Sequence, residues 1–127
     1  EAKRHGAPFG KRCDPVGEGV GRALALFEAA DALGRGYEFA LRTSTAIWSE
    51  AADLTVDATA HRLAEEFGIE SATEAIASSG WRARAEENRS ELLMMGLWGV
   101  PCFRAGDRIA WGQDRIAQTR SWTPSAT

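Results

Sequence analysis

The 127 residues hold no paired Cys-x-x-Cys, no tract of apolar residues near the ~20 that cross a bilayer, and no dominant charge of either sign. The last two count against a membrane-spanning helix and against a nucleic-acid partner. The two cysteines, Cys13 and Cys102, lie far apart and fit neither a dithiol motif nor zinc-ligand spacing, so no metal site is expected. A structural disulfide between them is not expected in a reducing compartment. With a net charge of -3 and a pI near 5.4 the chain projects no large positive field, which makes nucleic acid and anionic membrane poor partners. The first ten residues, EAKRHGAPFG, lack an apolar signal core, and the default location is cytoplasmic. What remains is ordinary for a globular domain: 44% hydrophobic and 26% charged residues, in a chain long enough to bury a substantial core.

Helical periodicity dominates the order of elements. Residues 1–5 read as the last turn of a helix stopped by Gly6, and Gly10, Pro15, Gly17 and Gly19 make the stretch from Phe9 to Gly19 a loop. Val20, Leu24, Phe27 and Ala30 then form one apolar stripe, ended near Gly34 and Gly36. Tyr37, Leu41, Ser44 and Trp48, widened by Ala40 and Ile47, predict the core-facing side of a second helix. The clearest helix carries Val56, Ala60, Leu63 and Phe67, with Thr55 or Asp57 to cap it and Gly68 to end it. Ser71 with Glu74 is a capping box that opens a short helix to about Ser79. From Trp81 to Leu97 the residues are strong helix formers, polar first and apolar later, as in a helix running from solvent into a core.

At Gly99 the pattern changes. Two short extended runs, Cys102 to Arg104 and Arg108 to Trp111, flank the turn Ala105-Gly106-Asp107 and predict a β-hairpin, and a final helix opens at Gly112 to Asp114. Two strands leave edges and a face uncovered, so the remaining strands are expected upstream in a longer parent or from another chain.

The chemistry concentrates around this hairpin. Pro101 opens a strand, where its missing N–H is tolerated; on pattern alone it is an ordinary trans proline, but a cis bond there would turn the peptide group of Val100 outward to meet a peptide-like ligand. The N-terminus of the last helix suits a carboxylate, and Asp114 suits an ammonium or, equally, a plain helix start. Cys102, beside Pro101, is either a small packing residue or a thiol open to oxidation or to a mixed disulfide.

The run GLWGVPCFRAGDRIAWGQDRI resembles the C-terminal signature of the 2-hydroxychromene-2-carboxylate isomerases and kappa-class glutathione transferases, within the broader DsbA-like family. EAKRHGAPF resembles the helix and turn that precede the helical domain in that family. The resemblance implies an α/β thioredoxin-like fold with a helical insertion, mostly helical in this chain and without its N-terminal strand-helix-strand unit. It implies a cis Pro101, glutathione as cofactor held by the backbone of Val100, and Gln113 and Asp114 at its γ-glutamyl end. The expected organisation is residues 1–17 as the end of the first thioredoxin-like part, 18–97 as the helical domain, and 98–127 as the C-terminal hairpin and helix.

Function follows by the same resemblance. It is glutathione-dependent isomerisation of a small aromatic substrate, with the catalytic serine expected upstream of residue 1 and this chain alone therefore inactive; a DsbA-like thiol-disulfide oxidoreductase and a non-catalytic binding module are the alternatives. Position 102 is commonly Ser or Thr in that family, and the Cys here departs from it. Trp48, Trp98 and Trp111 are most simply core residues, although Trp98 and Trp111 flank the site and can line a substrate pocket. His5 and His61 lack a second metal ligand, and Glu65, Glu66, Glu86 and Glu87 read as solvated helix faces. A homodimer or larger assembly is expected from the uncovered face.

Overall fold

The computed structural model describes residues 2–10 and 17–122, which fall into two compact units, Glu1–Ala83 and Arg84–Thr127. The first is helical. After a 3₁₀ turn at Ala2–His5 come α1 (Glu18–Ala32), α2 (Gly36–Glu50), α3 (Asp57–Glu66) and α4 (Ala72–Ala77), and then the first turn of α5 (Gly80–Met94). The loop expected around Pro15 lies partly outside the described residues, as does Cys13.

The core of this unit forms where α1, α2, α3 and α4 meet. Leu26, Phe39, Leu54 and Leu63 are its largest fully buried side chains, each stabilising the fold by about 1.5–3 kcal/mol through burial. Phe39 meets Phe67 edge to face at 5.1 Å, and the Arg35 guanidinium covers Phe67 at 4.5 Å from the ring centre. Local chemistry sets the helix ends. Glu74 donates its backbone N–H to Ser71 Oγ at 3.2 Å, so this half of the expected capping box forms. Past α3, Gly68 adopts a φ of 74° and lets Ile69 donate back to the carbonyl of Ala64 at 3.0 Å.

Two of the expected stripes are only partly right. On α1, Ala30 is buried and Phe27 packs against the core, but Val20 and Leu24 are more than a third exposed, and Gly19, Ala25 and Leu26 are buried as well. On α2, Ile47 is buried and Trp48 packs against the core, but Tyr37 is 82% exposed and Leu41 59%, while Phe39, Thr43 and Ala46 are buried. The physical reason is competition between two apolar faces on one helix. Periodicity ranks them by side-chain size, whereas the neighbours of α2 admit the face with Phe39 and small residues. Val56 is likewise exposed, although Ala60, Leu63 and Phe67 pack as expected.

The second unit has almost no interior. It takes up the rest of α5, strands β1 (Cys102–Ala105) and β2 (Arg108–Trp111), a 3₁₀ turn at Gln113–Arg115 and α6 (Ile116–Thr119). Among its described residues only Ala110 is buried. No residue of α5 is buried, which corrects the expectation that its apolar end enters a core; Met94 is 82% exposed. Helix and hairpin are linked by polar chemistry instead, with Arg104 Nη1 2.6 Å from Glu91 Oε1. No helix is long and apolar enough to cross a membrane among the described residues.

Candidate functional site around the hairpin

The strands pair antiparallel in the register Cys102 with Trp111, Phe103 with Ala110, Arg104 with Ile109 and Ala105 with Arg108. Gly106 and Asp107 form the turn, where Gly106 takes a φ of 60°, the left-handed conformation that such tight hairpins require. This register fixes the neighbours of Pro101. Its carbonyl accepts the N–H of Gly112 at 3.0 Å, so the residue entering β1 and the residue leaving β2 are tied together.

The Val100–Pro101 peptide bond is cis. Val100 is 82% exposed, and neither its N–H nor its carbonyl has a hydrogen-bond partner among the described residues. Exposed peptide groups of this kind have their hydrogen-bonding capacity open to an extended ligand. Cys102 is a free, half-buried thiol that donates to the carbonyl of Gly99 at 2.7 Å. A serine or threonine hydroxyl is equipped to make the same bond.

Trp98 and Trp111 meet edge to face at 4.5 Å, with 60° between their planes. They are not core residues: Trp98 is 74% exposed and Trp111 41%, because no described residues of this unit form a layer over them. Trp48, by contrast, is half-buried and stacks with Phe9 at 6.4 Å. Gly99, which carries no functional side chain, also shapes the site. A side chain there would bring its Cβ to 3.0 Å from Trp111 Nε1, so glycine lets the indole lie against the backbone. The two glycines that bracket Trp98, at 96 and 99, were the available signal.

On the other side of the hairpin Gly112 has a φ of 108°, which strains any other residue, and Asp114 Oδ1 folds into the space where a Cβ would stand. Asp114 Oδ2 lies 3.3 Å from Arg115 Nε, and the carboxylate is 72% exposed. Gln113 is exposed beside it. The expected last helix starts here, but as a 3₁₀ turn of three residues followed by four α-helical ones. So short a helix sums few peptide dipoles, and the charge available for a ligand resides in Asp114 and Arg115 rather than in the helix end. Thus Trp98, Val100, Pro101, Cys102 and Trp111 come together at the entry to the hairpin, with Gln113 and Asp114 following directly on Gly112.

A helical unit continued through α5 into a proline-led hairpin is the layout of a thioredoxin-like domain rich in helix. The chain belongs to the family of DsbA-like thioredoxin domains, whose model matches residues 2–122. That family in general carries oxidoreductase and isomerase chemistry. No curated protein and no solved structure matches the chain.

Proposed function

We propose that the hairpin entry binds glutathione and that the protein acts in a glutathione-dependent isomerisation of the 2-hydroxychromene-2-carboxylate type. The observation that carries this reading is the unpaired, exposed peptide group of Val100 beside the Gly112–Asp114 edge. Glutathione is an extended peptide with a free ammonium and carboxylate at its γ-glutamyl end. Val100 offers one donor and one acceptor to its middle, Asp114 an acceptor for the ammonium, and Gln113 a donor for the carboxylate. When bound, glutathione supplies a thiolate that adds to an unsaturated carbon, permits rotation about the former double bond, and is expelled unchanged. This chain's residues would hold and orient it, and the Trp98–Trp111 pair would give a flat apolar wall for an aromatic substrate. The reading assigns no residue of this chain to the glutathione sulfur.

The organisation into residues 1–17, 18–97 and 98–127, and a cytoplasmic location, belong to the same proposal. Thiol-disulfide exchange is the second reading. It would need a Cys-x-x-Cys upstream of residue 1, and the hydrogen bond from Cys102 to Gly99 is one that a hydroxyl could make in either reading. A homodimer is supported by the exposed α2 face of Tyr37 and Leu41, and a monomer in sedimentation equilibrium at micromolar concentration contradicts it. Calorimetry tests the ligand. Reduced glutathione should bind the chain weakly, and Asp114→Ala should cost about fivefold to a hundredfold in affinity, roughly 1–3 kcal/mol for a lost charged hydrogen bond. Equal affinities for the two proteins would remove Asp114 from the site.

A further inference from the structure

A cavity of about 410 Å³ lies in the helical unit at the start of α1, lined by Val20, Leu24, Ile76 and Trp81 with Glu18, Arg22 and Arg82 as its charged groups. Its size is within the range of small-molecule sites. Glycine shapes one wall. A Cβ at Gly21 would stand 3.5 Å from Trp81 Cζ2, so the indole rests close against the α1 backbone. Val20 and Leu24, each more than a third exposed, are the apolar residues of α1 that turn away from the core and toward this space.

Two arginines and two carboxylates are present here, but their pairing is uneven. Arg22 lies 2.8 Å from Glu18 and 2.7 Å from Asp57, and its bond to Asp57 holds its pKa above the usual arginine value, so it is fully committed. Arg82 differs: its guanidinium stacks 4.6 Å above the Trp81 ring and pairs with no carboxylate among the described residues. One unmatched cation therefore stands at an apolar wall made partly of an indole.

We propose that this cavity binds a small organic monoanion with a planar apolar body, an aromatic carboxylate, whose charge meets Arg82 while its ring lies among Val20, Leu24, Ile76 and Trp81. The planar guanidinium suits a carboxylate in two-point contact and remains stacked as it does so. Glu18 in the lining disfavours a second negative charge, which selects against phosphates and dicarboxylates. The site lies wholly in the helical unit and stands independently of the glutathione reading.

Titration of the ¹⁵N-labelled chain with 2-naphthoate, and with the uncharged 2-naphthalenemethanol, tests it by the indole N–H signals. Saturable shifts are expected at Trp81, with naphthoate bound at least fivefold more tightly than the alcohol. Arg82→Gln, a surface change, should lower naphthoate affinity to that of the alcohol and leave the alcohol unaffected; Arg82→Lys should restore part of the difference. An unmoved Trp81 signal, equal affinities for the two probes, or equal losses for both in Arg82→Gln would overturn the proposal. Glutathione binding is read separately at the Val100 and Gln113 amides, so either site can fail without the other.

Discussion

The two units hold their side chains in opposite ways. In the helical unit, Leu26, Phe39, Leu54 and Leu63 are sealed from water and small residues such as Ala30, Ala46 and Ala60 let the helices approach. In the hairpin unit, Ala110 is the one buried residue described, while Met94, Trp98 and Val100 stand in solvent. Burial is thus concentrated before residue 84, and exposed peptide and aromatic groups after it. A region with so little buried apolar area opens at low free energy, and ligand-binding segments are commonly drawn from such regions.

The largest expected effect breaks the comparison at its strong side. Leu63→Ala should destabilise the chain by about 2–5 kcal/mol, since it deletes a fully buried side chain at the centre of the helical core. Trp98→Ala, a larger truncation but at an exposed position, should cost no more than about 1.5 kcal/mol, the worth of its edge-to-face pair with Trp111. Denaturant melts of both variants check this. Comparable losses would mean that the hairpin carries structural weight that its exposure does not suggest.

How much of this was legible depended on the range of the forces involved. Ser71 with Glu74, Gly68 after α3, and Gly106 in the hairpin act on backbone groups within a few residues, and each behaves as its sequence predicts. The buried face of α2 does not follow from periodicity, because Tyr37, Leu41 and Trp48 make as good a stripe as Phe39, Thr43 and Ile47. Only the partners of α2 decide between them. The burial of Thr43, whose Oγ1 has no hydrogen-bond partner among the described residues, runs against any ranking by polarity. At the candidate site, the cis Val100–Pro101 bond was suggested by resemblance and not by pattern, which favoured trans. The contact between Gly99 and Trp111, and the ion pair of Arg104 with Glu91, depend on how the hairpin folds back and leave no local signature.

The smallest expected effect compares the units by pH. In the helical unit, the side-chain hydroxyl and backbone N–H of Thr55 hold the Asp53 carboxyl below its ordinary pKa; in the hairpin unit, the Arg89 guanidinium does the same for Glu86. A carboxyl depressed on folding contributes stability that is complete above its unfolded pKa, about 4, and is lost as pH falls through the lower folded value. Melting temperature should therefore be unaffected by these groups from pH 8 to pH 5 and decline only below about 4. Both are solvent-exposed, so the decline they cause is slight, and the part due to the Glu86–Arg89 pair should diminish further in high salt. A loss of stability in Glu86→Gln that persists at high salt would contradict this origin.

The proposed placement of glutathione in the hairpin unit is tested most directly by an amide and indole shift map of the ¹⁵N-labelled chain during titration with reduced glutathione. The account predicts saturable shifts confined to the hairpin unit, at Val100, Cys102, Gln113 and Asp114 and at the Trp98 and Trp111 indoles, with the signals of Leu26, Phe39 and Leu63 unmoved. Shifts centred on the helical unit, or none at all at the Val100 and Gln113 amides at millimolar glutathione, would contradict it.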